Sequence, residues 1–238
     1  MQDNIDILND TTNTISDIEL INGDCFEVMN ELRDNYIINQ SSTIIFTSPP
    51  YNRKRNDKYE QYDDNIKDYF QFLRDFTDLA MQIVNKYMIL NLQTNYYNKK
   101  EVYKYIGEYA DKIQQIFIWE KSNPVPARGF NITNAYEIFL FIGDEPVKSN
   151  CTYTKNHITT AVHRGTLKAH KAVMKQEVSD YFIKTFSEET DLIIDPFMGT
   201  GTTGVSCKLL GRKFVGIEIV REYFEIAKDR INGTLTLY

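Results

Sequence analysis

The chain is poor in tryptophan, cysteine, histidine and proline: its 238 residues include one Trp, three Cys, three His and six Pro. Cys25, Cys151 and Cys207 are isolated, odd in number and without metal-ligand spacing. That excludes a disulfide framework and points to a reduced protein without structural zinc. His157, His163 and His170 stand six and seven residues apart, which fits neither a helical nor a finger metal site. No apolar run approaches the roughly 18 residues of a membrane-spanning helix. Residues 1–17 are acidic and polar with no export-type hydrophobic stretch, so a flexible N-terminal tail and a cytoplasmic protein are expected.

Acidic side chains are also missing from one long stretch. The net charge is −6, yet Pro146 to Gln176 contains no Asp or Glu. It carries Lys148, Lys155, Arg164, Lys168, Lys171 and Lys175, together with all the histidines. A basic stripe on an acidic body is the electrostatic footprint of a nucleic-acid partner. A smaller cluster, Arg53-Lys54-Arg55 with Lys58, repeats the pattern. Arg53, Lys54, Arg55, Lys155, Arg164 and Lys168 are the candidate DNA contacts; the plain alternative for either cluster is a solvated charged loop.

What is present is led by Thr47-Ser48-Pro49-Pro50-Tyr51-Asn52, which follows the apolar run Thr43-Ile44-Ile45-Phe46. That run reads as a buried strand. Two prolines end its hydrogen-bond ladder and fix φ at both positions. The corner holds a hydroxyl, carbonyls and an aromatic ring at a strand's C-terminal end, where open α/β sheets bind ligands. It suits methylation of an exocyclic amino group, whose lone pair is delocalised into a base ring. A hydroxyl at Ser48 and the Pro49 carbonyl, accepting its N–H bonds, would draw the nitrogen toward tetrahedral geometry. Tyr51 would stack on the base and Pro50 would wall the pocket. The plain alternative is a strand-terminating turn with a buried tyrosine.

Downstream, Asp191 to Asp195 reads as a short buried strand, followed by Pro196-Phe197-Met198-Gly199-Thr200-Gly201-Thr202-Thr203-Gly204 and a helix from Val205 to Leu210. A second strand, Lys213 to Ile217, ends at Glu218. Glycines at a strand-to-helix turn bring backbone close to a ligand, and an acid ending the next strand accepts ribose hydroxyls. The pattern also matches the dinucleotide fingerprint G-x-G-x-x-G. An NAD-dependent oxidoreductase is the weaker reading, because only 34 residues follow Gly204, too few for the further strands such a domain needs. Asp195 and Phe197 beside the glycines suit a cationic amino acid and an adenine better than a pyrophosphate.

Together these motifs resemble the beta-class S-adenosylmethionine-dependent DNA amino-methyltransferases of restriction-modification type. In that class an (Asp/Ser/Asn)-Pro-Pro-Tyr motif comes first and Asp-Pro-Phe-x-Gly-x-Gly-Thr comes last, as Ser48–Tyr51 and Asp195–Thr202 do here. Asn22-Gly23-Asp24-Cys25 is similar to the family's N-terminal Gly-Asp motif, and Trp119–Pro124 with Tyr136-Glu137-Ile138 to its mid-chain pair. The resemblance spans about residues 18–231. It implies an α/β fold with a mostly parallel twisted sheet and helices on both faces, a Rossmann-like methyltransferase in permuted order. It implies S-adenosylmethionine as cofactor, with Asp24, Cys25, Asp195, Phe197, Gly199, Gly201, Thr202 and Glu218 around it. It implies catalysis by Ser48, Pro49, Pro50 and Tyr51 on a base flipped from double-stranded DNA. Within the family Ser-Pro-Pro-Tyr leans to cytosine N4, with adenine N6 as the alternative. His170-Lys171 departs from a frequent His-Pro. A homodimer and a cognate restriction endonuclease are candidate further partners, and nucleoid association is expected if the source is bacterial. RNA or protein-amide methylation and a non-catalytic DNA-binding module are the more distant alternatives.

The remaining elements follow from periodicity. Ile18 to Ile21 and Tyr87 to Leu92 read as strands, Ile116 to Trp119 and Tyr136 to Ile142 as a strand pair. Helices are expected over Asn65 to Lys86, Lys99 to Ile113, Val173 to Phe186 and Val220 to Ile231. The organisation expected is a tail (1–17), a catalytic domain (18–143 and 169–238) and a target-recognition segment (144–168) without regular structure. Arg53 to Asp64 reads as a flap. Trp119 reads as a packing residue.

Overall fold

Short runs rich in Ile, Val, Phe and Leu build one eight-stranded sheet. The computed structural model describes residues 17–34, 42–53, 64–124, 132–161 and 174–235. The strands are β1 (Ile18–Asn22), β2 (Thr43–Thr47), β3 (Tyr87–Leu92), β4 (Ile113–Lys121), β5 (Tyr136–Ile142), β6 (His157–Thr160), β7 (Leu192–Asp195) and β8 (Lys213–Glu218). Their order is β1-β8-β7-β2-β3-β5-β4-β6. Neighbours from β1 to β3 pair in parallel, and β5 runs antiparallel between β3 and β4. The sheet reverses its winding between β7 and β2. Crevices of this kind, at the C-terminal ends of the strands, are where open α/β sheets hold ligands.

Among the described residues six helices cover the sheet: α1 (Cys25–Arg33), α2 (Tyr69–Ala80), α3 (Lys99–Glu108), α4 (Gln176–Phe186), α5 (Thr202–Leu209) and α6 (Arg221–Asn232). Alternation along the strands sends successive side chains to opposite faces. Ile45, Leu90, Leu140, Ile194 and Ile217 meet Met29 of α1, Leu73 and Phe76 of α2, and Val102 of α3. Phe46, Ile89, Phe139, Ile193 and Phe214 meet Phe182 of α4, Cys207 of α5 and Ala227 of α6. β2, β3, β5, β7 and β8 are therefore buried on both faces over nearly their whole length, as strands covered on both sides require, whereas β4 keeps Gln114, Gln115 and Glu120 exposed.

The elements depart from their expected bounds for local reasons. Asp68 caps α2 by accepting from the Gln71 amide at 3.0 Å, and Ile66 is engaged with Asn52 instead. After Ala80 the chain tightens, with Gln82 N bonding Leu79 O and Ile83 N bonding Ala80 O. Ile83 stays buried and Val84 packs on the core without being helical. α1 is capped by Asp24, which accepts from the Phe26 and Glu27 amides at 2.9 and 3.2 Å. Part of the segment expected to lack regular structure is β6, which pairs in parallel with β4, His157 opposite Ile118 and Thr160 opposite Lys121. Among the described residues no helix is long and apolar enough to cross a membrane.

Phe182 is fully buried and lies between Phe139, Phe46 and Phe117, with ring centroids at 4.1, 5.7 and 5.7 Å. Removing it leaves a cavity under the centre of the sheet. Phe182→Ala is expected to lower the free energy of urea unfolding by about 3–5 kcal/mol; a loss below about 1 kcal/mol would contradict this packing.

Candidate active site

The corner after β2 is held by hydrogen bonds along most of its length. The Tyr69 hydroxyl donates to the Pro50 carbonyl at 2.8 Å. The Asn98 and Asn95 side chains donate to the Tyr51 carbonyl at 2.7 and 2.9 Å. Asn52 adopts φ +50°, a left-handed conformation that Asn tolerates. Its amide and that of Arg53 donate to the two Asp64 carboxylate oxygens at 2.7 and 3.0 Å. The Asn52 side chain pairs in both directions with the Ile66 backbone, each bond 3.1 Å. None of these bonds uses the Pro49 carbonyl.

The side chains of the corner converge on Asn91. Ser48 Oγ donates to Asn91 Oδ1 at 2.7 Å, and the Tyr51 hydroxyl donates to the same oxygen. Asn91 Nδ2 donates to the Ile138 carbonyl at 3.1 Å, which fixes the amide's orientation. Because Ser48 spends its proton on Asn91, its oxygen keeps lone pairs to accept with. Tyr51 also lies 3.2 Å from Glu137 Oε2, and Glu137 is ion-paired with Lys121. Burial, and next the negative charge of Glu137, hold the Tyr51 phenol far above its ordinary range, so it acts as a neutral donor. The Arg53 guanidinium sits 5.4 Å from the centroid of the Tyr51 ring.

The glycine-rich turn after β7 forms the other wall. Asp195 is buried and accepts from Thr47 Oγ1 and Thr203 Oγ1, each at 2.6 Å, and from the Phe197 amide at 3.2 Å. Both its oxygens are thus engaged within the protein. Gly199 and Gly201 have φ of +53° and +81°, which a side chain would strain. A Cβ on Gly201 would meet the Ala227 backbone at 3.0 Å, whereas one on Gly199 would meet nothing within 4 Å. Glu218 accepts from the Gly199 amide at 2.9 Å and from the Val220 amide at 2.8 Å, one bond per oxygen. Burial raises its pKa, and those two backbone bonds oppose the rise. Burial, and next the charge of Asp24, push the Cys25 thiol up to about 12, so it carries no nucleophilic thiolate.

Both walls line one cavity of about 450 Å³. Ser48, Pro49, Pro50, Tyr51 and Arg53 stand on one side, and Asp24, Cys25, Asp195, Phe197, Gly199, Thr202 and Glu218 on the other. Gly201 lies behind the wall, packed on α6. Lys155 precedes β6 on the side where β4 and β6 begin, whereas the cavity lies at their ends, at Trp119 and Lys121. Nearby Asn150 bonds the C-terminus of α4, again at the edge opposite the cleft. Lys54, Arg55, Arg164 and Lys168 lie outside the described residues. Trp119 does pack, donating from Nε1 to Thr160 Oγ1 at 2.9 Å, but it also lines the cavity. Sequence reasoning assigned no role to Asn91, Lys121, Glu137 or Thr47. Asn91 carried a signal: a polar residue inside an apolar strand, 1% exposed, needs partners.

The sequence model of the DNA methylase family for N6 and N4 positions matches residues 43–229. The chain belongs to that family. The Type II methyltransferase M.HinfI of Haemophilus influenzae is 28% identical, covering 97% of this chain and 70% of its own length. The Type II methyltransferase M2.LlaDCHI of Lactococcus lactis subsp. cremoris is 25% identical over 91% of this chain and 90% of that protein. Among solved structures, the M1.HpyAVI–SAM complex matches with TM-score 0.65 at 23% identity, covering 90% of this chain and 100% of that one. The PvuII DNA methyltransferase (cytosine-N4-specific) matches with TM-score 0.70 at 19% identity, covering 91% and 87%. The fold is that of these methyltransferases. Methylases of this family use S-adenosylmethionine.

In this methylase the buried acid between the two walls is a pH-sensitive element. Burial lifts the Asp195 carboxyl to about 6, although the bonds from Thr203, Thr47 and Phe197 pull it down. An acid raised in the folded state contributes stability that is complete below its unfolded pKa of about 3.9 and is lost as pH rises through about 6. Asp195→Asn removes the titration. In urea unfolding from about pH 4 to 7, the stability of the wild type relative to this variant is expected to fall with rising pH and level off above about 6. A difference that does not change with pH would contradict a raised Asp195.

Proposed function

We propose that the protein is a site-specific DNA methyltransferase that methylates the exocyclic amino group of a flipped base, cytosine N4 in preference to adenine N6. The observation that carries this reading is the Ser48 hydroxyl, whose own proton goes to Asn91 and whose oxygen therefore faces the cleft as an acceptor. With the Pro49 carbonyl it offers two acceptors for the two N–H bonds of an amino group. Accepting both draws the nitrogen lone pair out of the ring. The neutral Tyr51 hydroxyl and the Lys121–Glu137 pair stand beside it as polar partners for the base edge. The preference for cytosine rests on serine, rather than aspartate, heading the corner.

The opposite wall fits S-adenosylmethionine. Glu218 keeps a lone-pair site on each oxygen for a ribose. The bare Gly199 backbone and the Phe197 ring leave space for an adenosyl amino acid. When bound there the cofactor supplies an electrophilic methyl group, which the amino nitrogen takes. No titrating base is required, because the nitrogen loses its proton to water after transfer. Positioning supplies most of the rate. The target must leave the duplex to reach a cleft of this depth. The residues after Ile142, 144–168, form the recognition segment in this reading, and a homodimer and a cognate restriction endonuclease are its further partners.

Mass spectrometry of nucleosides from unmethylated DNA incubated with the protein and S-adenosylmethionine tests the reading. The expected product is N4-methyldeoxycytidine. N6-methyldeoxyadenosine would move the target to adenine, and no product from protein that binds the cofactor would contradict DNA methylation. Ser48→Ala is expected to lower turnover about 10²-fold while leaving calorimetric cofactor affinity unchanged; unchanged turnover would remove Ser48 from the mechanism.

A further inference from the structure

The loop joining β3 to α3 and the start of α3 carry exposed aromatic and basic side chains. Tyr96 and Tyr97 are 67% and 51% exposed, and their rings meet edge to face at 5.3 Å. Lys99 Nζ sits 5.9 Å from the Tyr96 ring centroid. Lys100, Tyr103 and Lys104 are also exposed, while Val102 and Tyr105 turn the other face of α3 into the core. An acidic chain thus displays three tyrosines and three lysines together on one strip, this loop and the first turns of α3, with the half-buried Glu101 as the one acidic residue among them.

The position of the strip gives it meaning. β3 pairs in parallel with β2, Leu90 opposite Thr47, so the loop leaves the sheet at the same edge as the Ser48 corner. It is braced against that corner by several bonds. Asn95 and Asn98 donate to the Tyr51 carbonyl, and Arg53 donates to Gln93 Oε1 at 3.1 Å. Asn134 fastens the chain before β5 to the Thr94 carbonyl at 2.5 Å. Lysine heads on a rigid frame attract phosphates, and exposed aromatic rings between them stack on bases without regard to sequence. Charge complementarity and continuity with the base cleft both select a nucleic acid over a protein partner.

We propose that Tyr96, Tyr97, Lys99 and Lys100 form a DNA-docking surface on the β3–α3 side of the cleft. It grips the strand flanking the extruded base, the lysines on phosphates and the tyrosines on unstacked bases or sugars. This rests on the reading of the chain as a DNA methyltransferase. In the sheet order β2-β3-β5-β4-β6 the strand that leads to this surface adjoins the strand of the catalytic corner, and β6 of the 144–168 segment is the edge strand on the same side.

The test is steady-state methyl transfer to unmethylated plasmid DNA by the full chain at several salt concentrations, with cofactor affinity measured by calorimetry. For Lys99→Ala/Lys100→Ala the KM for DNA is expected to rise, and the slope of its logarithm against log salt to fall by about two. For Tyr96→Ala/Tyr97→Ala the KM is expected to rise about tenfold with the slope unchanged. In both, kcat at saturating DNA and cofactor affinity stay at wild-type values. Wild-type KM and slope in both variants would overturn the surface while leaving DNA methylation intact. So would a loss of self-association on sedimentation with an unchanged salt slope, which would make the strip a contact between two copies. A wild-type chain that methylates no DNA would remove the underlying reading and this surface with it.

Discussion

The hydrogen bond from Thr47 to Asp195 joins the last residue of β2 to the last residue of β7, across the point where the sheet reverses its winding. The corner offered to the base and the glycine turn offered to the cofactor each stand immediately beyond one of those two residues. Ser48 and the two prolines follow Thr47; Phe197 and the glycines follow Asp195. Thr203 closes the arrangement by bonding the second Asp195 oxygen from the first turn of α5. A carboxylate buried this far is costly unless its lone pairs are filled. Here three donors fill them, and the result is a fixed spacing between the two walls of the cleft. The other end of the same strand pair is tied as well, by Ser42 and Lys86 on the buried Asp191.

The polar layer behind the base wall follows the same logic. Asn91, Glu137, Lys121 and Gln93 come from β3, from β5, from β4 and from the residue after β3, so no local sequence window contains them together. Each is buried or half-buried, and each satisfies another: Asn91 takes Ser48 and Tyr51, and Glu137 takes Lys121 and Gln93. Satisfied networks of this kind hold orientation in a low-dielectric site. They make Ser48 an acceptor and Tyr51 a donor.

Local chemistry made much of this legible in the chain. Pro49 and Pro50 mark the end of a strand, Gly199 and Gly201 mark a turn that side chains would strain, and Glu218 ends the next strand. These signals act over a few residues and survive without knowledge of the fold. The strand alternation also placed most of the sheet. What was not legible depends on pairing across long separations. β6 is a short strand of His, Ile and Thr that owes its existence to β4, so its own sequence reads as loop. The helical pattern of residues 65–86 continues past the real α2 because Ile83 and Val84 remain on the core after the helix has ended. Asp195 stands beside the glycines in the cavity wall, and nothing in the sequence signals that its oxygens also accept from two threonines, one of them 148 positions away. Lys155 looks like a DNA contact by its neighbours' charge, yet β6 carries the chain from the far edge of the sheet toward the cleft. Charge read along a sequence does not say on which edge of a sheet the charge stands.

The central claim is that one buried bond sets the spacing of both walls, so the measurement to make is on Thr47→Val. This change keeps the shape and deletes the hydroxyl. Cofactor affinity by calorimetry and single-turnover methyl transfer at saturating cofactor should be followed in the same preparation. The account predicts that both fall, because the variant frees the glycine turn and the Ser48 corner together. Weaker cofactor binding with transfer at the wild-type rate once the site is filled would show that the two walls are set independently, and would contradict it.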